Sequence, residues 1–313
     1  MTIKHDFTCV DSVFIPGQSH LDALLPCQDY SFSGHVPPVS CDNHPFAIIS
    51  DGCSTMGRMK DGVFIPAKTD VGARIVAHTF SRSIPNNRAY DSNLLQNSAW
   101  QAECIMSPNF WNSDDLMATL GAVYINRSGS VTALMLGDGV IAVKFRNGVL
   151  HVVDVDWVAS MPPYVAYLTS DESMAQFRAA SAKAGLDAER EPCIVRTTDT
   201  RFDPDAGEIR SFERYIFPEL DAASNGLWFD YIANDVECIA VFSDGIKQIT
   251  STSDQHTVLP LIDAVSQCMA FPSARKGDFV HRHLRRVLQT WKRDGYAPND
   301  DLSMGAISIM PSS

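Results

Sequence analysis

Asp-Gly occurs five times in the chain, at 51–52, 61–62, 138–139, 244–245 and 294–295. Taken alone, each pair is a turn signal, because Asp-Gly tolerates a positive φ. That reading suffices for Asp61 and Asp294. The other three have a different setting: Asp51 closes the apolar run AIIS, Asp138 follows LMLG and Asp244 follows AVFS. Each therefore places a carboxylate at the end of a buried strand. Asp300, in Asn299-Asp300-Asp301-Leu302-Ser303, sits where the last apolar run begins, and Asp29, in Cys27-Gln28-Asp29, precedes the alternating segment YSFSG. Carboxylates from several strand mouths that meet at one end of a pair of sheets cannot all stay ionised, since like charges at close range raise one another's pKa. A divalent cation resolves that conflict. An all-oxygen donor set favours Mg²⁺ or Mn²⁺ over zinc.

The elements that must hold these acids are visible as apolar runs of strand length: FAIIS (46–50), TLGAVYI (119–125), VTALML (131–136), VIAVKF (140–145), VLHVVDV (149–155), CIAVFS (238–243) and SMGAISI (303–309). Gly, Asp or Asn bounds several of them. Residues 119–155 read as an antiparallel meander, with Arg146-Asn147-Gly148 as a hairpin turn. Helical spacing of apolar residues marks 69–83, starting at Thr69-Asp70, and also 91–106, 171–184 and 277–293. Meanders with helices between them predict an α+β fold of antiparallel sheets covered by helices, with no βαβ series. One domain over 1–313 is the simplest organisation, with a loop insertion at 54–68 and a flap or subdomain insertion at about 186–236.

Composition narrows the rest. The chain has 313 residues, 45% hydrophobic and 20% charged, as expected of a folded globular protein. No window approaches the roughly 18–20 apolar residues of a membrane span, and the N-terminus carries no signal-peptide pattern. A cytoplasmic protein without a membrane partner is expected. Twenty-five Lys and Arg against thirty-seven Asp and Glu give a net charge of −12. No basic block stands ready to displace counterions from nucleic acid, so no nucleic-acid partner is expected. Eight cysteines include no C-x-x-C pair, which removes a structural zinc site and leaves reduced thiols, Cys238 among them as a buried hydrophobe.

The ordered series Gln28-Asp29, Asp51-Gly52, Ala118-Thr119-Leu120, Gly137-Asp138-Gly139, Ser243-Asp244-Gly245 and Asp300-Asp301-Leu302-Ser303 resembles the PPM family, the metal-dependent (type 2C) serine/threonine protein phosphatases. Gly17-Gln18-Ser19-His20, with Pro26-Cys27-Gln28-Asp29 and Thr69-Asp70-Val71-Gly72-Ala73-Arg74, is similar to a bacterial branch of it. Each motif is weak alone, but six in order are specific, and together they span residues 17–309. The resemblance implies a four-layer α-β-β-α sandwich. It also implies two Mg²⁺ or Mn²⁺ ions per site, with Asp51 bridging both, the Gly52 carbonyl completing the first shell, and Asp244 and Asp300 holding the second ion. Asp29 would orient the attacking water, His20 is a candidate proton donor to the leaving oxygen, and Asp138 would help bind a third ion. The partner implied is a phosphorylated protein; the oligomeric state is left open.

Three positions depart from the family pattern. Gln28 stands where many members have Glu, and Leu24 stands where eukaryotic members have a phosphate-binding Arg, with Arg58 or Lys60 as possible substitutes. Gln248 stands where an acid often serves the third metal, which leaves a third ion open. Gln248 and the absent Arg keep a second reading alive, a catalytically weak or inactive module that binds a phosphoprotein or a regulatory partner. Other constellations carry less. Gly-Gln-Ser-His-Leu lacks the closing Gly of a nucleophile elbow. Asp154-Val155-Asp156 reads as a strand end with two solvated acids, His281 and His283 as solvated, and the Arg282–Arg293 stretch as a solvated helix face.

Overall fold

The computed structural model describes residues 8–36, 44–53, 57–60, 63–84, 93–106, 113–126, 129–157, 162–183, 193–203, 208–216, 222–254, 256–272 and 276–310. In chain order the elements are β1 (Thr8–Ile15), α1 (Gln18–Ala23), β2 (Tyr30–Val36), β3 (His44–Ser50), β4 (Gly57–Lys60), β5 (Val63–Pro66), α2 (Thr69–Ser83) and α3 (Leu94–Met106). There follow β6 (Leu120–Ile125), β7 (Ser130–Leu136), β8 (Gly139–Phe145), β9 (Leu150–Trp157), α4 (Asp171–Lys183), β10 (Cys193–Asp203), β11 (Glu208–Ile216) and α5 (Ala222–Asn225). The last are β12 (Leu227–Ile232), β13 (Val236–Phe242), β14 (Ile249–Ser251), α6 (Leu261–Met269), α7 (Phe279–Arg293), β15 (Tyr296–Pro298) and β16 (Leu302–Ile309). Among the described residues, no helix is long and apolar enough to cross a membrane.

Two antiparallel sheets carry the fold, one ordered β1-β16-β13-β8-β9-β10-β11 and the other β12-β7-β6-β3-β2. Their central strands β3, β6, β7, β8, β13 and β16 read as unbroken apolar runs because both faces are covered. On β3, Ala47 and Ile49 point into the layer between the sheets, where they meet Val123, Ile141, Val241 and Ile307. The alternate residues Phe46 and Ile48 face Val76 and Phe80 of α2 and Leu95 of α3. On the far side, Val140, Ala240 and Met304 face Val265 of α6 and Leu284 and Trp291 of α7. Three apolar layers between four structural layers give the expected α-β-β-α sandwich.

Helices α2, α3, α4 and α7 fall where their spacing places them, α1, α5 and α6 were not expected, and two helices are fastened from outside. Lys68 N, at the start of α2, donates to Asp115 Oδ1 at 2.6 Å. Asp11 Oδ2 of β1 accepts from Val280 N at 2.7 Å and His281 N at 3.1 Å, capping α7. The cationic side chains of α7 are exposed, as expected, but His283 is not simply solvated: its Nε2 sits 2.9 Å from the Gln267 carbonyl of α6.

The 119–155 stretch is not a single meander. β6 pairs with β7 in one sheet and β8 with β9 in the other, so Gly137-Asp138-Gly139 carries the chain across the sandwich. Gly148 does make the predicted turn, with φ 86°. Residues 54–68 include the β4-β5 ribbon, and the 186–236 stretch extends the larger sheet through β10 and β11 and the smaller through β12. Asp61, Gly62 and Cys41 lie outside the described residues.

Because neighbouring strands run opposite ways, β3, β7 and β13 end at the edge of the sandwich where β2, β6, β8 and β16 begin. The loops at that edge approach one another so closely that a side chain would obstruct them. A Cβ on Gly245 would lie 1.9 Å from the Asp301 carbonyl oxygen. This glycine is needed for backbone approach, not for a turn. Gly245→Ala is expected to lower unfolding stability by roughly 2–4 kcal/mol in urea denaturation. Gly148→Ala, at φ 86° with open space around it, should cost roughly 1 kcal/mol. Equal losses at the two positions would contradict the packing argument.

Candidate active site

Five strand ends deliver five carboxylates to this edge. Asp51 follows β3 and is fixed by Thr119, whose backbone N donates to the Asp51 carbonyl at 2.8 Å. Ser50 Oγ donates to the Thr119 carbonyl at 2.7 Å, locking the same corner. Asp138 lies in the crossover between β7 and β8. Asp244 follows β13, Asp300 precedes β16 and Asp29 precedes β2. A cavity of about 370 Å³ opens here, lined by Asp51, Asp138, Asp244 and Asp300, with His20 and Gln28 on one wall. Asp29 is buried just behind Asp51.

The carboxylates hold one another at the cost of raised pKa values. Asp29 is pushed up to about 7, first by burial and then by the charges of Asp301 and Asp244, against lowering by hydrogen bonds from Ser243 and Asp51. Asp138 is likewise pushed up to about 7, by burial and by Asp244. Asp51 lies well above the ordinary carboxylate range, through burial and the charges of Asp29, Asp244 and Asp138. Asp244 is raised by burial and by Asp300. Asp51 hydrogen bonds to both Asp29 and Asp244, which requires a proton between carboxyl groups. Among the described residues, no three His, Cys, Asp or Glu side chains form a finished metal site.

The donor chemistry nevertheless fits a hard divalent cation. The donors are carboxylate oxygens, and Asp29 Oδ1 and Gln28 Oε1 are buried without a hydrogen-bond partner. Unpartnered buried oxygens are costly unless something positive completes them. Gln248 occupies one gap between acids: its Nε2 donates to Asp244 Oδ2 at 3.0 Å and to Asp300 Oδ2 at 3.1 Å. Exchange of that amide for a cation would leave both carboxylates with a stronger partner.

Several supporting residues were not recognised from sequence. Asp301, deeply buried beside Asp300, accepts from Gly17 N at 2.8 Å, from Gln28 N at 2.6 Å and from His20 Nδ1 at 2.7 Å. Ser243 Oγ donates to Asp29 Oδ2 at 2.7 Å and accepts from Ser303 N at 2.9 Å, tying β13, β16 and β2 together. The only sequence signal was that Asp301 and Ser243 stand next to candidate ligands. The structure also corrects Asp154. It is buried, not solvated, and is paired with Arg196 and with Lys247, whose Nζ lies 2.7 Å from Asp154 Oδ1. Lys247 also reaches Asp156, which is exposed and lines the cavity. Burial acts to lower the Lys247 pKa, but Asp154 and Asp156 outweigh it and hold the ammonium charged, where it opposes the rise at Asp138 and Asp244. The side chains of Arg58 and Lys60 lie outside the described residues.

The structure is an antiparallel α-β-β-α sandwich with carboxylates converging at one strand-mouth edge, and comparison with known proteins identifies the family. The family model of protein phosphatase 2C matches residues 16–289, most of the chain. The chain belongs to the protein phosphatase 2C family. Solved structures similar to it include a serine/threonine phosphatase of S. agalactiae, 13% identical with a TM-score of 0.49, covering 97% of this chain and 100% of that one. Another is the PP2C phosphatase domain with a regulatory-domain fragment of SpoIIE, a cell fate determinant from Bacillus subtilis, at 12% identity and TM-score 0.44, covering 98% and 65%. A third is the RsbU and RsbW domains of Rv1364c from Mycobacterium tuberculosis, at 10% and 0.46, covering 98% and 61%. No curated protein sequence matches significantly.

The raised carboxylates set a pH dependence for the metal-free protein. Asp29 and Asp138 bind protons more tightly folded than unfolded, so their contribution to stability is full below about pH 4 and is lost as pH rises through about 7. Asp138→Asn, which removes one such charge, should therefore raise the melting temperature in EDTA most at pH 8, by much less at pH 5, and hardly at all below about pH 4. A destabilised variant at pH 8 would contradict this electrostatic account.

Proposed function

We propose that this protein is a cytoplasmic Mg²⁺- or Mn²⁺-dependent phosphatase that hydrolyses phosphoserine and phosphothreonine in proteins. The observation that carries the proposal is the convergence of Asp29, Asp51, Asp138, Asp244 and Asp300 at one edge of a family member's sandwich. Asp51, the Gly52 carbonyl, Asp244 and Asp300 would hold two ions. When bound, these would supply the Lewis acidity that neutralises charge on phosphoryl oxygens and acidifies a water.

The chain's own residues would do the rest. Asp29, held by Ser243 Oγ, would orient the attacking water for in-line displacement at phosphorus. His20 donates a hydrogen bond from Nδ1 to Asp301 Oδ2 and lines the cavity, and its Nε2 would hold a proton for the departing serine or threonine oxygen. Asp138 would serve a third ion together with Asp244. Gln248 brings an amide, not a carboxylate, to that side, so the proposal rests on two ions. We read residues 1–313 as one catalytic domain, with 54–68 and 186–236 as elaborations. No observation favours the non-catalytic module, since Asp51, Asp244 and Asp300 all stand in place.

Hydrolysis of p-nitrophenyl phosphate and of a phosphothreonine peptide, assayed with Mn²⁺, Mg²⁺ or excess EDTA, tests this directly. Turnover should require metal and fall by about a thousandfold or more in Asp51→Asn and Asp244→Asn, with melting curves retained. Full activity in both folded variants would sink the proposed centre.

A further inference from the structure

The cavity gives a phosphate group few positive partners of its own. Its described lining includes no Arg or Lys side chain. Contacts with a phosphorylated protein away from the phosphate are where further binding energy can be used to hold the reacting group in place. The chain between two of the lining residues, His20 and Gln28, offers surface suited to that. Leu21, Leu24 and Leu25 lie between His20 and Gln28, both of which line the cavity, and they are 51%, 91% and 48% exposed.

These leucines are held outward. The opposite side of α1 is tied to the loop that carries Asp300: Ser19 N and Oγ both donate to the Asn299 carbonyl, at 3.0 and 2.6 Å. Gly17 N, His20 Nδ1 and Gln28 N all donate to Asp301. A Cβ on Gly17 would lie 2.2 Å from the Asp300 carbonyl carbon, so the segment cannot roll to bury its leucines. Leu24 also ends α1 with φ 55° and ψ 34°, the left-handed cap that usually takes glycine. It is the one non-glycine with positive φ among the described residues. A strained and almost fully exposed leucine gains nothing from its own fold, whereas an apolar rim on a substrate cavity has an evident occupant.

We propose that Leu21, Leu24 and Leu25 form an apolar lip that docks the phosphorylated protein through apolar side chains flanking its phosphoserine or phosphothreonine. The proposal rests on the phosphatase reading of the cavity. It names the lip as the specificity-determining surface and apolar-flanked phosphosites as the substrate class.

The test compares phosphothreonine peptides carrying Leu or Phe on both sides of the phosphoresidue with peptides carrying Ser and Gly there, and with p-nitrophenyl phosphate. The parent should favour the apolar peptides by about tenfold in kcat/KM, the equivalent of partly burying one leucine. Leu21→Ser combined with Leu24→Gly should bring the two peptide classes within about twofold, with p-nitrophenyl phosphate turnover retained. Leu24→Gly alone separates docking from structure: it should raise the melting temperature by about 2 °C through relief of the positive φ, yet lower the preference. No preference in the parent, a preference that survives in the double variant, or a shift from dimer to monomer in the variant without loss of preference would overturn the proposal. Failure of the phosphatase reading would look different: p-nitrophenyl phosphate would not be turned over. The lip would then still be tested by fluorescence anisotropy with the same peptides in non-hydrolysable phosphonate form, where equal affinity for both classes overturns it.

Discussion

Carboxylates crowded at one edge of the sandwich repel one another, and the rest of the site is arranged around that repulsion. Asp51, Asp138, Asp244 and Asp300 are delivered by the ends of strands buried on both faces, so none of these can swing away into water without loosening the core. Burial then makes matters worse, since a charged carboxylate removed from water is itself disfavoured. The outcome without metal is a set of acids that share protons, with Asp29 and Asp138 lifted to about 7. A cation at the centre reverses every one of these terms at once.

Partners with fixed positions keep the cluster assembled in the meantime. Ser243 holds Asp29, Gln248 spans Asp244 and Asp300, and the ammonium of Lys247, pinned by Asp154 and Asp156, lends positive charge from the side. Asp301 acts on geometry instead. Its two oxygens gather three donors from the α1 segment, so the wall bearing His20 and Gln28 is fixed to the same loop as Asp300. The two adjacent aspartates therefore divide the work, one facing the cavity and the other holding its wall.

Much of this was legible in the sequence because the physics is local. Strands covered on both sides must be apolar throughout, so β3, β6, β7, β8, β13 and β16 announced themselves, and an acid at the end of such a run is visible without a structure. The helical stripe of α2 was equally plain. What stayed hidden depends on contacts between distant segments. Nothing in Gly137-Asp138-Gly139 says that the chain changes sheets there, since a hairpin turn would use the same residues. Asp154 resembles a solvated strand end until Lys247 and Arg196 arrive from elsewhere in the chain. Asp301 was invisible as a hub because its donors are backbone groups, which carry no sequence signature. The exposure of Leu21, Leu24 and Leu25 has no signature in the sequence and is seen only in the structure.

The central claim is that protons and divalent cations compete for the same buried carboxylates. Calorimetric titration with Mn²⁺, repeated in buffers of different ionisation enthalpy, counts the protons released as the metal enters. The account predicts net proton release at about pH 6.5 that is smaller near about pH 9, where Asp29 and Asp138 have already ionised. Binding with no proton release at the lower pH, or no binding at either, would contradict it.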